Sequence, residues 1–292
     1  MAKTREIKKR IKAVGNIRRI TKTMQMIATS KFARAQAASV GTRPYTDTIF
    51  DLVGKLAAGL GDQSHALLKE GRAGAPVLTL IVTSDRGLCG PYNGSVLRLS
   101  MANFKRDVIA KTGDVEMIGR KGLSFMKYAG IKISRHHTQF SDKAKYDEAK
   151  AVADEYIKRF LAGEVSRVVI VSMKYISAGK QIPTVTQLLP FQPPVKAAQT
   201  VAATGTQQLY EFSPSAADLL NVLLPAAVRS VFFQCLNDAL VSEHIARMIA
   251  MKSATDNAGK AGKRLTRVFN RARQAQITTE LTEIISGAAA LE

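Results

Sequence analysis

The chain has 292 residues, 46% of them hydrophobic, with 43 Lys and Arg against 23 Asp and Glu, a net charge of +20. That length allows about two domains, and a balance this basic points to an anionic partner: nucleic acid, an anionic membrane surface or acidic protein subunits. Two distant cysteines, Cys89 and Cys235, exclude a disulfide framework; the absence of Trp weakens base stacking; and the lack of an apolar leader or a run of about 18 apolar residues speaks against a signal peptide and a membrane-spanning helix.

Residues 3 to 58 read as one long helix. Ile7, Ile11, Val14, Ile17, Ile20, Met24 and Ile27 recur every three or four positions, a stripe as narrow as a coiled-coil seam. The rest of its surface is cationic, with Glu6 the lone acid in the first half, and Pro44 is expected to kink or locally break it.

Residues 75 to 190 change character. VLTLIVTS (77–84) is a continuous apolar run suited to a strand buried on both faces. A helical segment at 92–111, a strand at VEMIG (115–119), a short helix at 120–129, a strand at IKIS (131–134), a helix at 144–161 and a strand at RVVIVSMKY (167–175) follow. This alternation predicts βαβ units and a mostly parallel sheet. PTVTQLLP (183–190) is fenced by prolines and fits an edge strand, and 192–208 reads as a linker.

From 213 to 287 the chain is helical again, with Ser213 as N-cap and Pro214 at the first helical position. Some 70 residues of helix span roughly 100 Å, too long to bury in one globule. The simplest fold class is α/β plus long helices: an antiparallel coiled coil of the N- and C-terminal helices with an inserted Rossmann-like α/β domain. The expected divisions are 1–58, 75–208 and 209–292. The last helix ends in ITTELTEIISGAAALE (277–292), where Ile277, Leu281, Ile284, Ile285 and Ala288 share one face and no cation occurs.

SDRGLCG (84–90) follows the first strand but lacks both GxGxxG and GxxxxGK[ST], so a tight strand-to-helix turn is the better reading, with Asp85 bonding backbone amides. Ser84 is not in a GxSxG elbow. His136 and His137 would face opposite sides of a strand, with no ligand cluster at metal spacing. GKAGKR (259–264) superficially resembles a phosphate loop but lies inside a helical pattern without a preceding strand. No triad, carboxylate pair or metal cluster assembles, so no catalytic residue, metal or cofactor is expected. The basic N-terminal helix leaves three readings open: passage through an acidic protein environment, which is favoured, a nucleic-acid contact, or a solvated face.

Three segments resemble one family, the gamma subunit of F-type ATP synthases: IKKRIKAVGNIRRITKTMQMIATSKFARAQ (7–36), SDRGLCGPYN (84–93), and SEHIARMIAMKSATDNAGK (242–260) with NRARQAQITTELTEIISGAAAL (270–291). The tail fits I-T-x-E-x-x-E-x-x-x-G-A-x-A from Ile277 to Ala290, while Pro91 and Tyr92 replace the family's Gly and Phe. The resemblance implies a bacterial central-stalk rotor that couples proton-driven turning of a ring of c subunits to ATP synthesis or hydrolysis on beta subunits. Its partners would be an alpha3–beta3 hexamer, the epsilon subunit and the c-ring, with no nucleic acid and no catalytic role. Its place would be peripheral, at the cytoplasmic face of the inner membrane. By position, Lys22 and Met24 match the family's contact with an acidic lever of beta. Arg273, Gln274, Thr278 and Glu280 match its contact with a loop that catches the upper shaft, and Tyr210 and Glu211 match the region facing the c-ring and epsilon. The alternatives from other classes are a basic coiled-coil nucleic-acid-binding protein and an α/β enzyme with helical arms.

Overall fold

A computed structural model describes residues 2–60, 65–107, 110, 112–140, 143–192 and 216–289. Helix α1 (Ala2–Leu60) is followed by β1 (Val77–Val82), α2 (Tyr92–Arg106), β2 (Asp114–Ile118), α3 (Arg120–Tyr128), β3 (Arg135–His137), α4 (Tyr146–Leu161), β4 (Arg167–Ser177) and β5 (Lys180–Leu189); α5 (Ala216–Ala289) closes the described chain. The chain divides into two compact units, residues 1–30 with 247–292 and residues 31–246.

In the larger unit five strands form one sheet in the order β3-β2-β1-β4-β5. β1 pairs in parallel with β2 and β4, β2 in parallel with β3, and β5 runs antiparallel at the edge beside β4. All six residues of β1 are buried, as its unbroken apolar run predicts. Leu78, Leu80 and Val82 face one layer, where Ile49, Val53 and Leu56 of α1, Val152 and Tyr156 of α4, and Leu224 and Phe232 of α5 pack. Val77 and Ile81 face the other, against Val96 and Phe104 of α2 and Met126 of α3. Alternation along single strands thus serves two helical layers.

The strand expected at IKIS is not formed. Ile131 is buried in the second layer, but Ser134 gives its backbone N–H and its hydroxyl to the Val115 carbonyl, and pairing with β2 begins only at Arg135. The apolar residues there report burial rather than strand geometry. Neither Pro44 nor Pro225 breaks its helix. Ser213, Pro214 and most of 192–208 lie outside the described residues. By length and composition α5 carries a stretch apolar enough to cross a membrane. Leu220, Leu224, Val228 and Phe232 of α5 are instead buried in the core of this unit.

α1 and α5 also meet here through polar groups. Ser39 donates to Asp238 at 2.7 Å and Thr42 to Gln234 at 2.5 Å. Arg43 reaches the Tyr175 carbonyl at 2.6 Å and lies over the Tyr175 ring.

Candidate functional site

The smaller unit is a pair of antiparallel helical segments. Thr4 donates to Gln276 at 3.0 Å, and the hydroxyls of Thr21 and Thr255 meet at 2.9 Å, so rising numbers on α1 match falling numbers on α5. On α5 Met251, Thr255, Ala258, Gly262, Leu265, Phe269, Ala272 and Gln276 are buried or half-buried and spaced alternately by four and three, with Ala254 and Gly259 half-buried beside them. This is a heptad seam.

The facing seam on α1 is not the stripe expected from the sequence. Ile7, Ile11 and Val14 are half-buried as expected, but the seam then steps to Thr21, Gln25 and Ala28. Ile17, Ile20 and Ile27 are 53%, 58% and 53% exposed. The apolar stripe leaves the seam after Val14 because its next step is three residues where the heptad requires four. Small and polar side chains take over the seam, and three isoleucines stand outside it.

Lys22 is exposed beside this ridge and Met24 is half-buried. Arg273, Gln274, Thr278 and Glu280 are exposed on α5; the Thr278 hydroxyl bonds the Gln274 carbonyl and Gln276 donates to Glu280 at 2.8 Å. By antiparallel register the two groups sit at different levels of the pair, roughly 25 Å apart at 1.5 Å per residue. They occupy two separate levels of the pair rather than one site. Tyr210 and Glu211 lie outside the described residues. From Ile277 onward every residue of α5 with a described side chain is exposed, including Leu281, Ile284 and Ile285 at 57%, 70% and 59%. The face predicted from ITTELTEIISGAAALE exists, and within this chain nothing covers it among the described residues.

This unit also concentrates charge. Residues 1–30 and 247–292 hold seventeen Lys and Arg against five Asp and Glu, so most of the chain's excess lies on about a quarter of its length.

The loop after β1 closes on itself. The N–H of Arg120 bonds Asp85 at 3.1 Å, that of Lys121 bonds the Ser84 carbonyl at 3.1 Å, and that of Gly122 bonds the Thr83 hydroxyl at 3.1 Å. Amides that would cradle a phosphate at the start of α3 are therefore already used. Gly119 has φ +91°, and a Cβ there would lie 2.2 Å from the Thr83 carbonyl oxygen. Gly119→Ala is expected to cost about 2–4 kcal/mol from positive-φ strain and overpacking together; an unchanged urea midpoint would count against this closed-loop account. Sequence reading missed Leu88, which is 60% exposed and holds φ +64°.

A second cluster that spacing could not reveal lies under β2 and β3. Glu116 accepts from His137 Nε2 at 2.6 Å, from the Tyr156 hydroxyl at 2.7 Å and from Arg159 Nη1 at 3.3 Å. Arg159 also pairs with Asp114 and Glu164. Burial raises the Glu116 carboxyl, but hydrogen bonds from His137 and Tyr156 and the charges of His137 and Arg135 outweigh it and hold the group below its ordinary range. The His137 and Glu116 side chains are 1% and 3% exposed, so this is a structural tie with no access for substrate.

The model of the ATP synthase family matches residues 3–291. The ATP synthase gamma chain of Rhodopirellula baltica is 38% identical over 297 residues, covering all of both chains, and that of Desulfitobacterium hafniense is 39% identical over 294, again covering both. Among solved structures, a chain of the OSCP/F1/c-ring assembly of Euglena gracilis mitochondrial ATP synthase aligns with a TM-score of 0.66 at 17% identity, covering 99% of this chain and 95% of that one. A chain of the rotor of the same enzyme aligns at 0.62, covering 94% and 99%.

Proposed function

The chain belongs to the ATP synthase gamma-chain family, and on that premise we propose that it is the central-stalk rotor of a proton-translocating ATP synthase. It couples turning of the c-ring to the conformational cycle of the beta subunits, where ATP is made or hydrolysed, and contributes no catalytic residue itself. The helical segments, from 1–58 and 209–292, work inside the alpha3–beta3 hexamer. Residues 75–208 serve as the foot against epsilon and the c-ring, with Tyr210 and Glu211 beside it. The complex stands at the cytoplasmic face of a bacterial inner membrane, and this subunit is peripheral to it.

The observation that carries this reading is the outer surface of the helical pair. A coiled coil whose only task was to hold itself together would keep Ile17, Ile20 and Ile27 in its seam. Here they stand outside it among cations, and the tip of α5 exposes a second apolar face. A rotor must touch each state of its surroundings differently, because a ligand shifts an equilibrium only by its differential contact. Lys22 and Met24 at one level, and Arg273, Gln274, Thr278 and Glu280 at the other, supply such contacts.

Arg273→Leu and Gln274→Leu are each expected to lower ATPase turnover of the assembled alpha3–beta3–gamma complex about tenfold, the loss of one charge-assisted hydrogen bond, with assembly intact by gel filtration. Unchanged turnover removes these residues from coupling. A chain that binds DNA at physiological salt and never joins an alpha–beta hexamer would sink the rotor reading itself.

A further inference from the structure

Residues 11–18 of α1 and 255–267 of α5 border an open groove of about 880 Å³, comparable in volume to small-molecule sites. Gly15, Gly259 and Gly262 line it. Each glycine inside a helix costs about 1 kcal/mol relative to alanine, and packing does not require that cost. A Cβ at Gly15 would meet nothing within 4 Å, and at Gly259 and Gly262 it would meet Arg18 Nε at 3.7 Å and Val14 Cγ1 at 3.9 Å, ordinary contacts. Gly262 holds a seam position where a large apolar residue would interlock the helices. What the glycines preserve is room.

The room is lined with cations. Lys260, Lys263 and Arg267 fall on one face of α5 over about 10 Å of helix, Arg18 reaches across from α1, and Asp256 is the one acid in the lining. Among the described residues none of the four cationic side chains is held by a carboxylate. Like charges so placed repel one another, and a multivalent anion would relieve them. GKAGKR, which is no phosphate loop in sequence context, thus contributes two glycines and two lysines to one cationic groove.

We propose that this groove binds a linear phosphate anion, the chemistry shared by inorganic tripolyphosphate and the triphosphate of a nucleotide. Arg18 takes phosphate oxygens in its fork, and Lys260, Lys263 and Arg267 line the length of the chain. Ile11, Val14 and Ala258 form an apolar wall beside it. The site does not depend on the rotor reading and is testable on the full chain alone.

Isothermal titration of the full chain with tripolyphosphate, and separately with magnesium-free ATP, at about 0.15 M salt is expected to show saturable binding. Lys260→Gln with Lys263→Gln should weaken it at least about tenfold. Lys9→Gln with Lys12→Gln, which removes the same charge from the outside of α1, should change it less than about twofold. Gly262→Ile should abolish binding while the helix pair melts no lower than before, which separates a filled groove from a misfolded one. Equal affinity for the two probes identifies the phosphate chain as the whole ligand, and tighter ATP binding places the nucleoside on the Ile11–Val14 wall; both support the site. No saturable binding, equal weakening by both lysine pairs, or full binding by Gly262→Ile overturns it.

Discussion

Replacing Glu116 with alanine is expected to destabilise the α/β unit by about 3–5 kcal/mol, the usual cost of removing one partner from a buried charge pair. Glu116 accepts from three side chains; Arg159 keeps Asp114 and Glu164 as partners, but the buried His137 and Tyr156 have no water to turn to when it is gone. Urea unfolding followed by tyrosine circular dichroism would show the loss as a lower midpoint; an unchanged midpoint would mean the cluster relaxes without cost. The same carboxyl sets a pH dependence. Its folded value lies below the ordinary 4.5, so its contribution is full above that value and is lost as pH falls through the folded one. Stability of the wild type should fall with acid below about pH 4.5, and Glu116→Gln should flatten that fall.

Phe232→Ala is expected to cost about 3–5 kcal/mol as well. Phe232 is 0% exposed and meets Tyr156 edge-on, with ring centres 5.9 Å apart, and Phe140 at 6.3 Å. Tyr156 is thus shared: its ring packs on Phe232 and its hydroxyl bonds Glu116. The double substitution should depart from the sum of the two single losses by about 0.5–3 kcal/mol, falling short of it, because either change frees the same tyrosine. Strict additivity in a double-mutant cycle would show that the apolar and ionic halves of this core hold independently.

The sheet was legible because its central strands are buried on both faces, and such strands show as unbroken runs like VLTLIV. β3 was not, since Arg-His-His has neither the length nor the apolar character of a strand and exists because β2 offers it partners. The two long helices were legible from periodicity, but the phase of their seam was not. Apolar residues alone pointed to Ile17 and Ile20, whereas the structure seats Thr21, Gln25 and Thr255, which pattern reading counts as surface. The residues proposed for coupling came from resemblance in the motifs. No spacing rule selects Gln274 from its neighbours. The Glu116 cluster draws on residues from 114 to 159 and becomes visible only when β2, β3 and α4 are brought together.

The polar seam of α1 also bears on how the chain is made. α1 is complete at residue 60 and the first turn of α5 begins at 216, more than 150 residues later. At 5–20 residues per second the ribosome leaves the first helix without its mate for roughly 8 to 30 s. A continuous leucine or isoleucine seam would spend that interval seeking any similar helix, including the nascent α1 of a neighbouring ribosome. Thr21, Gln25, Ser39, Thr42 and Thr46 leave the middle of its seam little to offer a stranger. The hydroxyls of Thr21, Ser39 and Thr42 stay hydrated until Thr255, Asp238 and Gln234 arrive with matching groups, so this part of the helix waits in solution for the far end of its own chain.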